Sequence, residues 1–267
     1  MERLSWWPLV LLAAQALAHG GLNNYTVGDT WYRAFDPDGD LEDQVGQSWL
    51  VQRPWASINP IFDHDSPYLA CNDPGTTAAA YIPIAAGDEI EAVYWYWLHP
   101  TGPMAVWLAD CGDSCEDVDP AEAKWFKIWH AGLTDDGSAG LAESTWYQKA
   151  FQKWDGSPTT WPVTIPPRLK PGLYLIRHEI ISIHVAYKPQ WYPECAHLNI
   201  TGDGDATPEE EFLFQFPGAY SEDDPYTFLD IYSEEWTDPE NAAKYEPPLG
   251  PVWDGGQEIT NKYCYRC

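Results

Sequence analysis

Positive charge is scarce in this chain. Its 267 residues carry 14 Lys and Arg against 41 Asp and Glu, a formal net charge of -27. A surface this acidic repels phosphate backbones and anionic headgroups, so no nucleic acid and no membrane surface is expected as a partner. A neutral polymer or a small neutral molecule is not excluded. Long apolar runs are also missing: beyond the N-terminus no segment reaches the ~20 apolar residues that a membrane helix needs. No HxH, HExxH or paired CxxC supports a zinc hydrolase, and there is no GxSxG, no P-loop and no GxGxxG after a strand. Helical signal is thin. The best short helix is 119–127, with Asp119 as N-cap and Pro120 in the first turn. No internal repeat or long linker divides the sequence.

What the chain does have is aromatic and turn residues. Aromatics make up 15%, with 16 Trp, beside 24 Pro and 20 Gly. That composition excludes a disordered chain and reads as β-rich and loop-rich. Residues 19–70 read as loops. Strands are expected at 88–98, 103–111, 160–166, 173–186 and 197–204, and a Pro-rich wrap at 235–263. Many short strands with turns between them argue for an all-β protein: an immunoglobulin-like antiparallel β-sandwich with long loops and few short helices. Period-two alternation in 173–186 puts His178, Ile180, Ser182 and His184 on one face, and Arg177, Glu179, Ile181 and Ile183 on the other.

Residues 1–18, MERLSWWPLVLLAAQALA, read as a secretory signal peptide ending in an A-x-A cleavage site. Glu2 and Arg3 cancel, so processing leaves the charge unchanged. The mature chain then begins at His19, whose α-amine and imidazole together can chelate a metal. Six cysteines in an oxidising compartment favour disulfides. Cys111 and Cys115 are close enough to clip one loop, Cys71 and Cys195 are the natural long-range pair, and a terminal disulfide is preferred for Cys264 and Cys267. Asn24 and Asn199 head N-glycosylation sequons. His99, in a turn just beyond an aromatic strand, is well placed to hold a ligand.

The signal peptide followed by His-Gly, LACN (69–72), IAAGDEIEAVYWYW (84–97), HPTGPMAVWLADCGDSC (99–115), WFKIWHAGL (125–133) and above all KPGLYLIRHEIISIHVAYKPQWYPECAHLNITGDG (170–204) resemble the fungal lytic polysaccharide monooxygenases of auxiliary activity family 9. The likeness runs from His19 to about Trp253. It implies a catalytic domain over 19–253 with a short tail at 254–267. It implies one copper ion per chain held by the His19 α-amine and ring and by His99, with Tyr192 at the axial position and His184 and Gln190 beside the oxygen site. The bridges Cys71–Cys195 and Cys111–Cys115 match the family's. The implied activity is oxidative cleavage of cellulose or a related β-1,4-glucan by hydroxylation at C1 or C4, using hydrogen peroxide or oxygen and an external electron donor, in a secreted monomer. A crystalline substrate calls for a flat face, on which Tyr25, Trp31 and Trp49 are candidates to stack on sugars.

Two departures from the family pattern stand out. The segment His99-Pro100-Thr101-Gly102-Pro103 is one residue longer than the usual His-x-Gly-Pro, and only six positions separate His184 from Gln190. They motivate a second reading, a non-catalytic copper- or carbohydrate-binding sandwich. A glycosidase ranks last, because no carboxylate pair stands out.

Overall fold

The computed structural model describes residues 20–55 and 58–255. The signal segment, His19 and the Cys264/Cys267 tail lie outside the described residues. Among the described residues nine strands form two sheets: β1 (Gly21–Val27), β2 (Thr30–Arg33), β3 (Ile82–Ala85), β4 (Glu89–Trp95), β5 (Met104–Asp110), β6 (Trp125–Ala131), β7 (Thr159–Thr164), β8 (Gly172–Ser182) and β9 (Gln190–Thr201). One sheet runs β2-β1-β4-β7 and the other β3-β9-β8-β5-β6. Every pairing is antiparallel except β3 with β9. The expected β-sandwich is therefore present. Helices are single turns at Leu41–Gln44, Glu234–Thr237 and Pro239–Ala242. Among the described residues no helix is long and apolar enough to cross a membrane.

Apolar side chains form two main layers. One lies between the sheets and includes Leu22, Tyr25, Val106, Trp161, Ile176, Ile180 and Tyr192. The other covers the outer face of the five-stranded sheet, where Trp107, Leu175, Ile181 and Trp191 meet Phe216 and Tyr220 of the segment after β9 and Tyr245 of the C-terminal wrap. Central strand β8 is thus buried on both faces, with Arg177, His178 and Glu179 among its buried residues. Its alternation holds to Ser182. His178 points into the inter-sheet layer, against the Tyr25 and Trp161 rings. Arg177 lies on the outer face, fully buried, with its guanidinium on Glu179, Leu69 O and Ala70 O.

Three expectations change. Residues 119–127 are not a helix: Asp119 caps one turn, accepting from Ala121, and Trp125–Ala131 then forms β6. All seven of its residues are buried, and the aromatic and β-branched content is better spent pairing with β5 than on an isolated helical turn. The supposed loop 19–70 contains β1 and β2. The last strand begins at Gln190, seven positions before the expected 197. Both expected bridges are formed, Cys71–Cys195 and Cys111–Cys115.

Candidate functional site

The site is built at one end of the sandwich. The antiparallel register of the β8–β9 hairpin sets Ser182 opposite Gln190 and Ile180 opposite Tyr192. His184 follows β8 by two residues, in the loop that closes the same hairpin. His99 lies in the loop between β4 and β5, and its ring stacks on His184 with centroids 4.5 Å apart and planes 15° apart. Tyr192 sits 6.1 Å from His99, centroid to centroid. The β8–β9 register and the His99 loop thus bring His99, His184, Gln190 and Tyr192 together.

Each member is held. The Ser182 hydroxyl and His184 Nδ1 are 2.6 Å apart, and half-burial lowers the His184 pKa. Two parallel imidazoles are compatible with this contact only if they are not both cationic. The Tyr192 hydroxyl donates to Gln190 Oε1 at 2.8 Å, and burial pushes the phenol's pKa up, keeping it protonated.

Sequence reasoning missed the supports of the His99 loop. Trp97 packs edge-on against Tyr192, at 4.8 Å, and against His99, at 5.5 Å, while its indole N–H donates to His99 O at 2.7 Å. Gln148, in the 3-10 turn Tyr147–Phe151, donates to Gly102 O at 3.1 Å and Ile181 O at 3.0 Å, and its own carbonyl accepts from Trp97 Nε1. Gln152 donates to Leu98 O. The position of Trp97, two residues before His99, was a usable signal; nothing in the sequence points to Gln148 or Gln152. Gly102 completes the loop with φ +135°, where a Cβ would come within 2.0 Å of Ile181 O.

The chain start is held as closely. Gly20 abuts the end of β4 so tightly that a Cβ would lie 1.5 Å from Tyr96 O and 2.1 Å from Trp95 O, and Gly21 pairs with Trp95.

Other candidates fall elsewhere. His178 and His197 are buried in the sandwich, each with its pKa lowered to about 3 by burial, so His178 does not share the site with His184. Tyr25 is fully buried between the sheets and cannot meet a sugar. Trp49 lies under the Arg33 guanidinium at 4.2 Å, whereas Trp31 is 57% exposed. Tyr187, missed in the sequence, is 63% exposed in the loop after His184, and its N–H donates to Leu229 O. Asn199 is exposed on β9, but Asn24 is only 7% exposed on β1.

A family model described as Auxiliary Activity family 9 (formerly GH61) matches residues 19–241. An AA9 family lytic polysaccharide monooxygenase B of Heterobasidion irregulare is 37% identical over 250 residues, covering 92% of this chain and 96% of that protein. The crystal structure of HiLPMO9B superposes with a TM-score of 0.78 at 36% identity, covering 88% of this chain and all of the other. That of a cellulose-active polysaccharide monooxygenase from M. thermophila gives 0.78 at 34%, covering 88% and 99%. With the fold and these relatives in agreement over most of its length, the chain belongs to auxiliary activity family 9, the lytic polysaccharide monooxygenases, metalloenzymes that cleave polysaccharide.

Proposed function

We propose that this protein is secreted on removal of residues 1–18 and, with one copper ion, oxidatively cleaves cellulose or a related β-1,4-glucan through a catalytic unit spanning 19–253. The observation that carries this reading is the wedging of Gly20 against Tyr96 O. It sets Gly20, which would be the second residue of the processed chain, against the strand end that leads into the His99 loop, where His184 and Tyr192 pack against His99.

His19, with its α-amine and ring, and His99 would hold the copper, with the Tyr192 phenol beside it. Neutral nitrogen donors and a phenol, with no thiolate or carboxylate among them, suit this metal. When bound, copper supplies the one-electron chemistry that lets hydrogen peroxide or oxygen attack a strong C–H bond at C1 or C4. The chain's own residues do the rest. Tyr192 occupies Gln190 Oε1, which leaves the amide N–H₂ as the donor toward the oxidant. With its Nδ1–H donating to the Ser182 hydroxyl, the neutral His184 ring presents Nε2 as the atom that accepts and returns a proton. Lowering of the His184 pKa keeps that imidazole neutral and able to accept at neutral pH.

Tyr187 is suited to stack on a sugar ring, as is Trp31, and Asn199 is better exposed for glycan attachment than Asn24. Cellulose as substrate is supported by the cellulose-active structural neighbour.

The test is product analysis with correctly processed, copper-loaded protein, cellulose, a reductant and peroxide. Oxidised oligosaccharides are expected, and should vanish on chelation or when one extra residue precedes His19, because the amine then becomes an amide. Copper binding without oxidised products would favour the non-catalytic reading. Unoxidised sugars released without copper or reductant would favour a glycosidase.

A further inference from the structure

The start of β1 is gripped by more than sheet pairing. Its register against β4 shifts between Leu22 and Asn24. At this bulge the Leu22 N–H donates instead to Glu194 Oε2, at 2.7 Å and 172 positions away in sequence. Glu194 is only 3% exposed. Gln52 Nε2 approaches the same oxygen at 3.5 Å, while Gln52 Oε1 accepts from Phe35 N. A Cβ on Gly21 would stand 2.6 Å from Glu194 Oε1 and 2.3 Å from the Trp55 ring. A carboxyl group is costly to bury in such a place, and its partners here are a backbone amide and a side-chain amide rather than a cation.

Glu194 lies two residues beyond Tyr192 on β9. Period two puts both side chains on the same face of the strand, roughly 6.6 Å apart along it. One strand face thus carries the phenol of the candidate metal centre and the carboxyl that ties down residues 20–22. We propose that Glu194 is a positioning residue for the metal centre: through Leu22 it fixes how far the N-terminal arm stands from Tyr192, and with it the place at which the His19 amine is presented. The proposal rests on the copper reading above and deepens it.

The test compares wild-type, Glu194→Met and Glu194→Gln protein, each processed to begin at His19. Met fills the site without accepting a hydrogen bond; Gln keeps a carbonyl within reach of Leu22 N–H. Copper(II) affinity is read by calorimetric titration, the electronic environment by electron paramagnetic resonance, and the thermal midpoint on copper-free protein. The Met variant should bind copper about tenfold more weakly, in the range usual for loss of a group supporting a metal ligand, with altered hyperfine splitting. The Gln variant should restore both. If the Met variant is not secreted, Glu194→Asp, whose carboxylate is one methylene too short to reach Leu22, is read in the same way. A Met variant with a lower thermal midpoint but wild-type affinity and spectrum would show a merely structural role and overturn the proposal, as would a Gln variant as perturbed as Met. Wild-type protein that binds no copper would overturn the copper reading itself, and that arm keeps the two failures apart.

Discussion

Tyr192 faces two demands. Its ring completes the inter-sheet core against Trp97, and its hydroxyl orients Gln190 at the rim of the site. Tyr192→Phe keeps the ring and removes only the O–H. Copper should still bind, its resonance spectrum should change, and stability should fall by about 1 kcal/mol in urea titration as Gln190 loses its donor. An unchanged spectrum would show that the Tyr192 hydroxyl does not touch the metal. The buried histidines behave differently. His178, between Tyr25 and Trp161 and opposite Glu194, and His197, beside Tyr81 and near Arg53, have pKa values lowered to about 3. Between pH 3 and 6.5 the unfolded chain therefore binds more protons than the native one, and stability falls on acidification by roughly 1.4 kcal/mol per pH unit for each histidine. Above pH 6.5 neither contributes. His178→Phe should flatten the slope by about half this pair's share in urea midpoints taken from pH 4 to 7; an unaltered slope would refute the assignment.

Among elements, the 3-10 turn Tyr147–Phe151 matters for what its amides grip. Gln148 links the His99 loop to the end of β8 through Gly102 O and Ile181 O. Gln148→Ala leaves two buried carbonyls short of a partner, while the Trp97 indole keeps its bond to His99 O, so a loss of about 2–4 kcal/mol is expected. Activity should fall more than copper affinity, because the change loosens the spacing between His99 and His184. Equal losses of both would mean that the turn supports His99 alone. The strands themselves were legible where the pattern was local. β4, β5, β7 and β8 follow runs that can be read directly, whereas β6 was hidden behind a plausible N-cap. Asp119 and Pro120 are a true turn signal, but the pairing of Trp125 with Ala109 and Phe214 stops the helix from continuing. β1 and β2 were hidden because two glycines and a bulge break their alternation.

Across the molecule, two long-range ties hold the site's scaffold. Cys71–Cys195 joins the loop before β3 to β9, the strand that carries Gln190 and Tyr192, across a separation of 124 residues. Replacing both cysteines with serine should cost about 5 kcal/mol on the chain-entropy account, measured by thermal unfolding, with a broader copper spectrum if β9 loosens. A wild-type midpoint would show that packing alone holds the strand. The second tie is Lys127, buried under the wrap, whose ammonium donates to Pro248 O at 2.7 Å and Gly250 O at 2.6 Å. Burial lowers its pKa to about 7. This tie secures the C-terminal segment, whose Trp253 packs on Phe126 in the inter-sheet layer.

The sequence by itself determined the β-rich class, both described bridges, the acidic surface and the identity of the four residues that meet at the site, because each is written in composition, local periodicity or a motif. It could not separate His178 from His184, exclude Tyr25 from the surface, or find Gln148 and Glu194. Those depend on which face of a strand meets which neighbour, and only the registers of β1 on β4 and β8 on β9 decide that. A side chain's chemistry is set by the groups packed against it, and here many of those groups lie dozens to more than a hundred positions away along the chain.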